Sequence, residues 1–295
     1  MLALIAGTGD LPAVILSRVD GPVVTCALHG FSPSIDVEIP FRIEHLGSFL
    51  NVLRERGVTD ICMVGAIRRP PIDPSEIDAA TLPLVPRIQA AIAKGDDGAL
   101  REVIAIFNDH GFAIKAAHDI APDLLPAPGF PTKAQPSDWH LADAAEGERT
   151  IAEMGAGDIG QACIVRMGQV ADREDVDGTD AMLARFHEDY IKPEPDTVLA
   201  ALHQSIGSML ENITGSAADP VTADDGILFK APKPTQDRRA DLPTIGFQTA
   251  MGAAEAGLAG IVIEADGVLV LDLDSVVETL DAQGMFLWVR PKGAL

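Results

Sequence analysis

The sequence predicts an α/β fold in two parts: a Rossmann-like, parallel-sheet amino-terminal domain and a mixed α/β carboxy-terminal domain. Three observations carry that prediction. Short apolar runs alternate with amphipathic stretches through the first half, and apolar strands interleaved with helices imply a parallel sheet covered on both faces. Five prolines then fall within residues 121–136. The formal charge of −22 is also uneven, with 11 basic and 16 acidic groups in residues 1–134 against 11 and 28 in residues 135–295.

Taken in order, residues 2–6 read as a buried strand that turns through Gly7-Thr8-Gly9 into a helix near Leu11 and Pro12. Residues 23–28 form a second strand and 61–67 a third, almost wholly apolar, with helical spacing of apolar residues over 46–56 between them. Helices follow at 84–93 and 99–110, and a strand at 112–116. The prolines at 122, 126, 128, 131 and 136 keep regular structure out. The expected division is therefore a domain over 1–130, a Pro-rich linker over 131–136, and a catalytic domain over 137–295.

The second half opens with a helix over 137–153, then strands at 162–167 and 227–230. Asp266-Gly267 between the apolar runs 260–264 and 268–273 reads as a hairpin turn, since both positions tolerate positive φ. Helices over 248–256 and 275–283 and a strand over 286–289 complete the domain. Residues 192–225, with a helix expected over 196–210, look like an excursion from it.

Composition excludes several functions. At 47% hydrophobic and 22% charged, the chain forms a core. No apolar run nears the ~18 residues of a membrane span, and the start lacks the basic segment of a signal peptide. Three widely spaced cysteines suggest neither a disulfide framework nor a structural zinc site. These features favour a cytoplasmic protein. A surface this acidic repels a polyanion, so nucleic acid is not expected as a partner.

Four stretches could carry chemistry. IAGTGDLP (residues 5–12) puts two glycines between strand and helix, where backbone amides could hold a phosphate or ribose; it could equally be a bare turn, because Pro12 stands where a dinucleotide fingerprint has its third glycine. KGDDGALREV (94–103) sets Asp96 and Asp97 in a loop at a helix start, as caps or as metal or ribose ligands. DIGQ (158–161) delivers Gln161 to the head of a strand, and Asp172, Glu174, Asp175, Asp177, Thr179 and Asp180 follow. That cluster is either a solvated acidic loop, with Thr179 capping the next helix, or a seat for Mg²⁺, which takes one or two carboxylates and keeps its waters.

The fourth stretch is KAPKPTQDRRADLPTIG (230–246). Lys230, Lys233, Arg238 and Arg239 fall within ten positions of an acidic domain, on a backbone stiffened by Pro232, Pro234 and Pro243. Gln236, Asp237, Asp241 and Thr244 add polar groups. Rigidly held cations beside a carboxylate suit phosphoryl chemistry; the competing reading is a surface loop of compensating charges. The seven histidines are scattered without metal spacing. No nucleophile elbow or Cys–His pairing stands out.

In this order, IAGTGDLP, the Arg69-Pro70 pair of GAIRRP, KGDDGALR, residues 111–118, DIGQ, GTDAML, KAPKPTQDRRADLPTIG, GLAGIVIEADGVLVLD and GMFLWV resemble one family along nearly the whole chain. It is the metal-dependent UDP-2,3-diacylglucosamine pyrophosphatases of lipid A biosynthesis, of the alphaproteobacterial type. The resemblance implies a cleft between two domains and Mg²⁺- or Mn²⁺-dependent hydrolysis to UMP and 2,3-diacylglucosamine 1-phosphate. It implies Asp241 as the catalytic, metal-binding carboxylate, Lys233 and Arg239 as further catalytic groups, and Asp180, Asp96 and Asp97 as additional metal ligands. Gly7, Gly9, Leu11, Pro12, Arg69, Gln161, Thr179, Lys230, Gln236 and Thr244 would contact substrate. Asp177 stands where the family usually has Glu, Glu174 keeps its place, and the 192–225 segment is longer than usual.

The expected partners are thus a lipid-linked nucleotide sugar and, transiently, the cytoplasmic face of the inner membrane, with a homodimer as the commonest soluble assembly. Two other readings stand beside this one: a nucleotide-dependent oxidoreductase, suggested by the first domain, and a non-catalytic lipid–nucleotide binding protein.

Overall fold

The computed structural model describes residues 1–67, 70–92, 95–157, 159–188, 226–234 and 236–294. The expected helix over 196–210, and the segment 192–225 around it, lie outside these described residues. The chain forms two compact units, one of Met1–Leu124 with Thr235–Leu242, the other of Leu125–Pro234 with Pro243–Leu295.

The first unit runs β1 (Leu2–Ala6), α1 (Leu11–Arg18), β2 (Val23–Leu28), β3 (Ile39–Phe41), α2 (Leu46–Glu55), β4 (Asp60–Val64), α3 (Val85–Ile92), α4 (Gly95–Asp109), β5 (Ala113–Ile114) and α5 (Ala117–Ile120). Its sheet has the order β3-β2-β1-β4-β5 with every pair parallel. The chain therefore builds outward from β1, then returns to its other side at β4, the reversal that opens a crevice at the carboxyl ends of neighbouring strands. Leu46, Phe49, Leu50 and Leu53 form one stripe of α2 and pack with Ile106 and Phe107 of α4 against Ala3, Ile5 and Ile61. Helices α1 and α5 pack on β1 and β4 respectively, so the strands are covered as their apolar sequence requires.

Two of the boundaries that differ from expectation bear on the candidate stretches. β4 stops at Val64, short of Ile67, because Gly65 takes φ +89° and turns the chain. Helix α4 begins at Gly95, so Asp96 and Asp97 sit in its first turn and not in a preceding loop. Just before α2, the Glu44 carboxylate is 3% exposed and accepts from Arg42 and from the Asp73 amide. The Arg42 hydrogen bonds lead in lowering its pKa from 4.5 to about 2, against the cost of burial.

The second unit runs α6 (Asp138–Ala156), β6 (Ala162–Arg166), β7 (Gln169–Arg173), α7 (Thr179–Phe186), β8 (Gly226–Lys230), β9 (Thr244–Ile245), α8 (Phe247–Glu255), β10 (Gly260–Glu264), β11 (Leu269–Val270), α9 (Leu273–Ala282) and β12 (Phe286–Arg290). The main sheet has the order β12-β10-β8-β6-β7. β12, β10 and β8 are parallel, while β6 is antiparallel to both β8 and β7. Ala144, Ile151 and Met154 of α6 cover one face with Cys163, Val165, Ile227 and Phe229. Residues of α7, α8 and α9 close the other over Ile164, Leu228, Ile261, Ile263 and Leu287.

The hairpin expected at Asp266-Gly267 does not form. Both edges of β10 are taken by β8 and β12, so β11 pairs instead with β9, in parallel. The true two-residue hairpin joins β6 to β7 through Met167 and Gly168, both at positive φ as a primed turn requires. Asp143 of α6 holds that turn by accepting from the Gly168 amide at 2.5 Å.

The Pro-rich stretch is anchored along the sheet edge. Gly129 bridges Val289 of β12, Thr132 Oγ1 accepts from the Leu287 amide at 2.8 Å, and the Lys133 amide reaches Asp281 of α9.

Candidate functional site

Three parallel strands of the second unit share one sequence pattern, an apolar run closed by a charge: GILFK, GIVIE and FLWVR. The closing residues are buried, with Lys230 8%, Glu264 6% and Arg290 3% exposed. The register pairs Ile263 with Lys230 and Glu264 with Arg290, so the charges line one edge of the sheet. Carboxyl ends of parallel strands are where open α/β sheets gather ligands. β6 begins at this edge too, with Ala162 opposite Lys230.

Lys230 is the centre of a connected set. Its Nζ donates to Thr179 Oγ1 at 2.8 Å and to the Thr244 carbonyl at 3.0 Å. Burial pushes its pKa down, and the charges of Glu174 and Asp180 oppose that shift. Thr179 Oγ1 in turn donates to Glu174 Oε1 at 2.6 Å, and the backbone N–H of Gln161 donates to Glu174 Oε2. The turn bringing Gln161 there passes through Gly160 at φ +57°, where a Cβ would stand 2.5 Å from the Glu174 carbonyl oxygen. The expected role of Thr179 as a cap therefore needs correction: Gly178 occupies the N-cap of α7, and the Thr179 hydroxyl faces inward. Thus Gln161, Thr179, Lys230 and Thr244, far apart in sequence, share one hydrogen-bonded group.

Glu264 and Arg290 are members of this edge that lie outside the candidate stretches of the sequence, and the signal for them is the charge that closes each apolar strand. Glu174 belongs to the acidic cluster offered as a seat for Mg²⁺, and here its carboxylate accepts from Thr179 and from the Gln161 backbone. Arg290 donates to Glu148 at 2.7 Å and lies over the Trp288 ring, while Glu264 stands 3.7 Å from Lys292.

The basic–proline block is divided between the units, not contained in the second as expected. Lys230, Lys233 and Thr244 belong to the second, whereas Thr235–Leu242, carrying Gln236, Arg239 and Asp241, clusters with the first. Lys233 and Gln236 are buried, and Asp241 is half-buried. Arg239 pairs with Asp237 through Nε at 2.9 Å and Nη2 at 2.7 Å. Those bonds hold the Asp237 carboxyl below its ordinary range, and Arg101 of α4 adds to the effect.

In the first unit, the glycine turn after β1 is closed upon β4. The Gly7 amide donates to the Val64 carbonyl at 2.8 Å, and Thr8 and Ala66 exchange backbone bonds at 2.9 Å. An anion at this turn would fall to the amides of Gly9, Asp10 and Leu11, since Pro12 has none. Gly9 is exposed, Leu11 half-buried and Pro12 buried. Asp97 is half-buried on α4. Arg69 and the side chain of Asp96 lie outside the described residues.

No three His, Cys, Asp or Glu side chains among the described residues form a group able to hold a metal ion. A preformed cage of the calcium type is thus not among them. Asp180 is exposed and Asp241 half-buried, and each offers a single carboxylate, the kind of donor of which Mg²⁺ takes one or two while keeping its waters. The three cysteines are buried, and burial leads in raising each thiol to about 12, so none is a ready thiolate.

Comparison with known proteins completes the picture. A family model described as the LpxI N-terminal domain matches residues 1–124, and one described as the LpxI C-terminal domain matches residues 127–288. The UDP-2,3-diacylglucosamine pyrophosphatase LpxI of Caulobacter vibrioides is 35% identical over 292 residues, covering 97% of this chain and 96% of that protein.

Proposed function

Because the chain belongs to the LpxI family, we propose that it hydrolyses the pyrophosphate bond of UDP-2,3-diacylglucosamine. The products are UMP and 2,3-diacylglucosamine 1-phosphate, and the step belongs to lipid A biosynthesis. The observation that carries this reading is the buried Lys230 ammonium at the carboxyl edge of the second sheet, fixed by Thr179 and Thr244. Phosphoryl transfer demands little covalent chemistry and much stabilisation of charge on non-bridging oxygens. A preorganised cation in a water-poor site stabilises that charge best, because nothing has to reorganise as the charge develops.

Two of the three ammonium protons of Lys230 are committed to Thr179 and Thr244, and the third is directed to a phosphate oxygen. Lys233 and Arg239 bind further oxygens, and for Arg239 that contact competes with its pairing to Asp237. Gln161, Gln236, Arg69 and the turn around Gly7, Gly9, Leu11 and Pro12 are the further proposed substrate contacts. Asp241 is the leading candidate to hold Mg²⁺ or Mn²⁺, and Asp180, Asp96 and Asp97 are secondary candidates. The ion supplies Lewis acidity at the phosphate and lowers the pKa of an attacking water. No helix of the described residues is long and apolar enough to cross a membrane, so a diacylated substrate would be met by transient contact at the cytoplasmic membrane face.

The test is incubation of the full chain with UDP-2,3-diacylglucosamine and Mg²⁺, with the nucleotide product identified. UMP release, stopped by a chelator, is expected. Release of UDP, which would mean cleavage at the sugar, contradicts the proposal, as does no release at all.

A further inference from the structure

We infer that Glu174 is a positioning residue for this reaction, acting on Lys230 through the Thr179 hydroxyl. The inference rests on the reading that Lys230 engages the substrate pyrophosphate. Its basis is a hydrogen-bond chain whose direction is fixed by the chemistry of its ends. The Lys230 ammonium can only donate, and so can the backbone N–H of Gln161. The Glu174 carboxylate can only accept, and its two oxygens take one donor each, from Thr179 and from Gln161. The Thr179 hydroxyl must therefore send its proton to Glu174 and turn a lone pair to Lys230 Nζ. With the Thr244 carbonyl as second acceptor, two ammonium protons are fixed and the direction of the third follows.

The chain spans three separate motifs. Gly160-Gln161 comes from the turn before β6, Glu174 from the segment after β7, and Thr179 from the first turn of α7. Gly160 lets the first approach the second, since a Cβ there would stand 2.5 Å from the Glu174 carbonyl oxygen and 2.9 Å from its Cβ. A carboxylate is needed because it alone offers two acceptor oxygens and no donor. Glutamine offers an acceptor and a donor, so one of its two contacts becomes donor against donor. Either the Gln161 amide loses its partner, or the Thr179 hydroxyl is turned and its lone pair withdrawn from Lys230.

The experiment follows the ¹H–¹⁵N signal of the Lys230 ammonium in the full chain without substrate, assigned by its loss in Lys230→Met. Protons held by Thr179 and Thr244 exchange slowly enough to be seen in the wild type. The signal is expected to persist in Thr179→Ser, which keeps the hydroxyl, and to vanish in Thr179→Val and Glu174→Gln. In turnover, Glu174→Gln should lower kcat by about tenfold to a hundredfold, the size of effect that misplacement by about 1 Å produces, with little change in KM. The double variant Glu174→Gln/Thr179→Val should fall no further than Thr179→Val alone, as coupling through one group requires. A wild type without the signal, a Glu174→Gln protein that retains it, or additive losses in the double variant would overturn the inference. The signal is read without substrate, so failure of the wild type to release UMP would count against the proposed function and leave this result standing.

Discussion

Thr8 and Ala66 exchange two backbone hydrogen bonds of 2.9 Å across the ends of β1 and β4. The exchange draws the glycine turn after the first strand onto the loop after the fourth, at the point where the strand order of the sheet reverses. Close approach of the two backbones is possible only because Gly7 and Gly65 lack side chains. A Cβ on Gly7 would lie 2.5 Å from the Ala66 carbonyl oxygen, and one on Gly65 2.7 Å from the Thr8 carbonyl oxygen.

Gly7→Ala should therefore destabilise the protein by about 1–3 kcal/mol, the range of overpacking when only backbone is available to move. Gly9→Ala meets open space and is strained only by φ +95°, at a cost of about 1–2 kcal/mol. Urea denaturation of the two variants checks both values. Wild-type stability in Gly7→Ala would contradict the close approach.

Acid should weaken the protein through Glu44. Its folded pKa of about 2 lies below the ordinary 4.5, so its contribution is complete above about pH 4.5 and is lost as pH falls toward 2. Arg42 is the leading cause. Arg42→Met should therefore be less stable than wild type at pH 7, with the gap narrowing below pH 4 as Glu44 takes up its proton. Denaturation midpoints at pH 7, 5.5 and 3.5 measure the gap, and a gap unchanged across that range would refute the pairing.

Removal of Asp241 should separate binding from turnover. Asp241→Ala is expected to bind UDP-2,3-diacylglucosamine, since cations and polar groups elsewhere hold it, and to lose about a hundredfold or more in kcat. Isothermal titration and UMP release measured on one preparation check this. A near-normal rate would take Asp241 out of its proposed role.

Much of this arrangement was legible in the sequence, and the exceptions have physical causes. The alternation of apolar strands and helices gave the layers of both units because burial on two faces leaves little freedom in composition. Lys230 stood out as a cation in an acidic domain. Glu174 did not stand out within its cluster, because its role depends on Thr179 meeting Lys230 across 51 residues of sequence, and six residues with side-chain oxygens compete within 172–180. The hairpin was sought at Asp266-Gly267, whose composition fits a primed turn. The structure places it at Met167-Gly168, where Asp143 steadies a turn that composition alone disfavours. Local turn chemistry was outweighed by strand pairing: a fully paired β10 has no edge left for a returning strand.

The measurement that bears most directly on the account is UMP release by Lys230→Met beside the wild type, with thermal melting of both. Methionine keeps the length of the side chain and removes the charge, and it leaves the Thr179 hydroxyl and the Thr244 carbonyl without their donor, at a cost of about 1–3 kcal/mol. The expected result is a folded protein whose melting temperature falls by about 2–4 °C for each kcal/mol lost, with a loss of at least about a hundredfold in kcat. A folded Lys230→Met protein that releases UMP at the wild-type rate would contradict it.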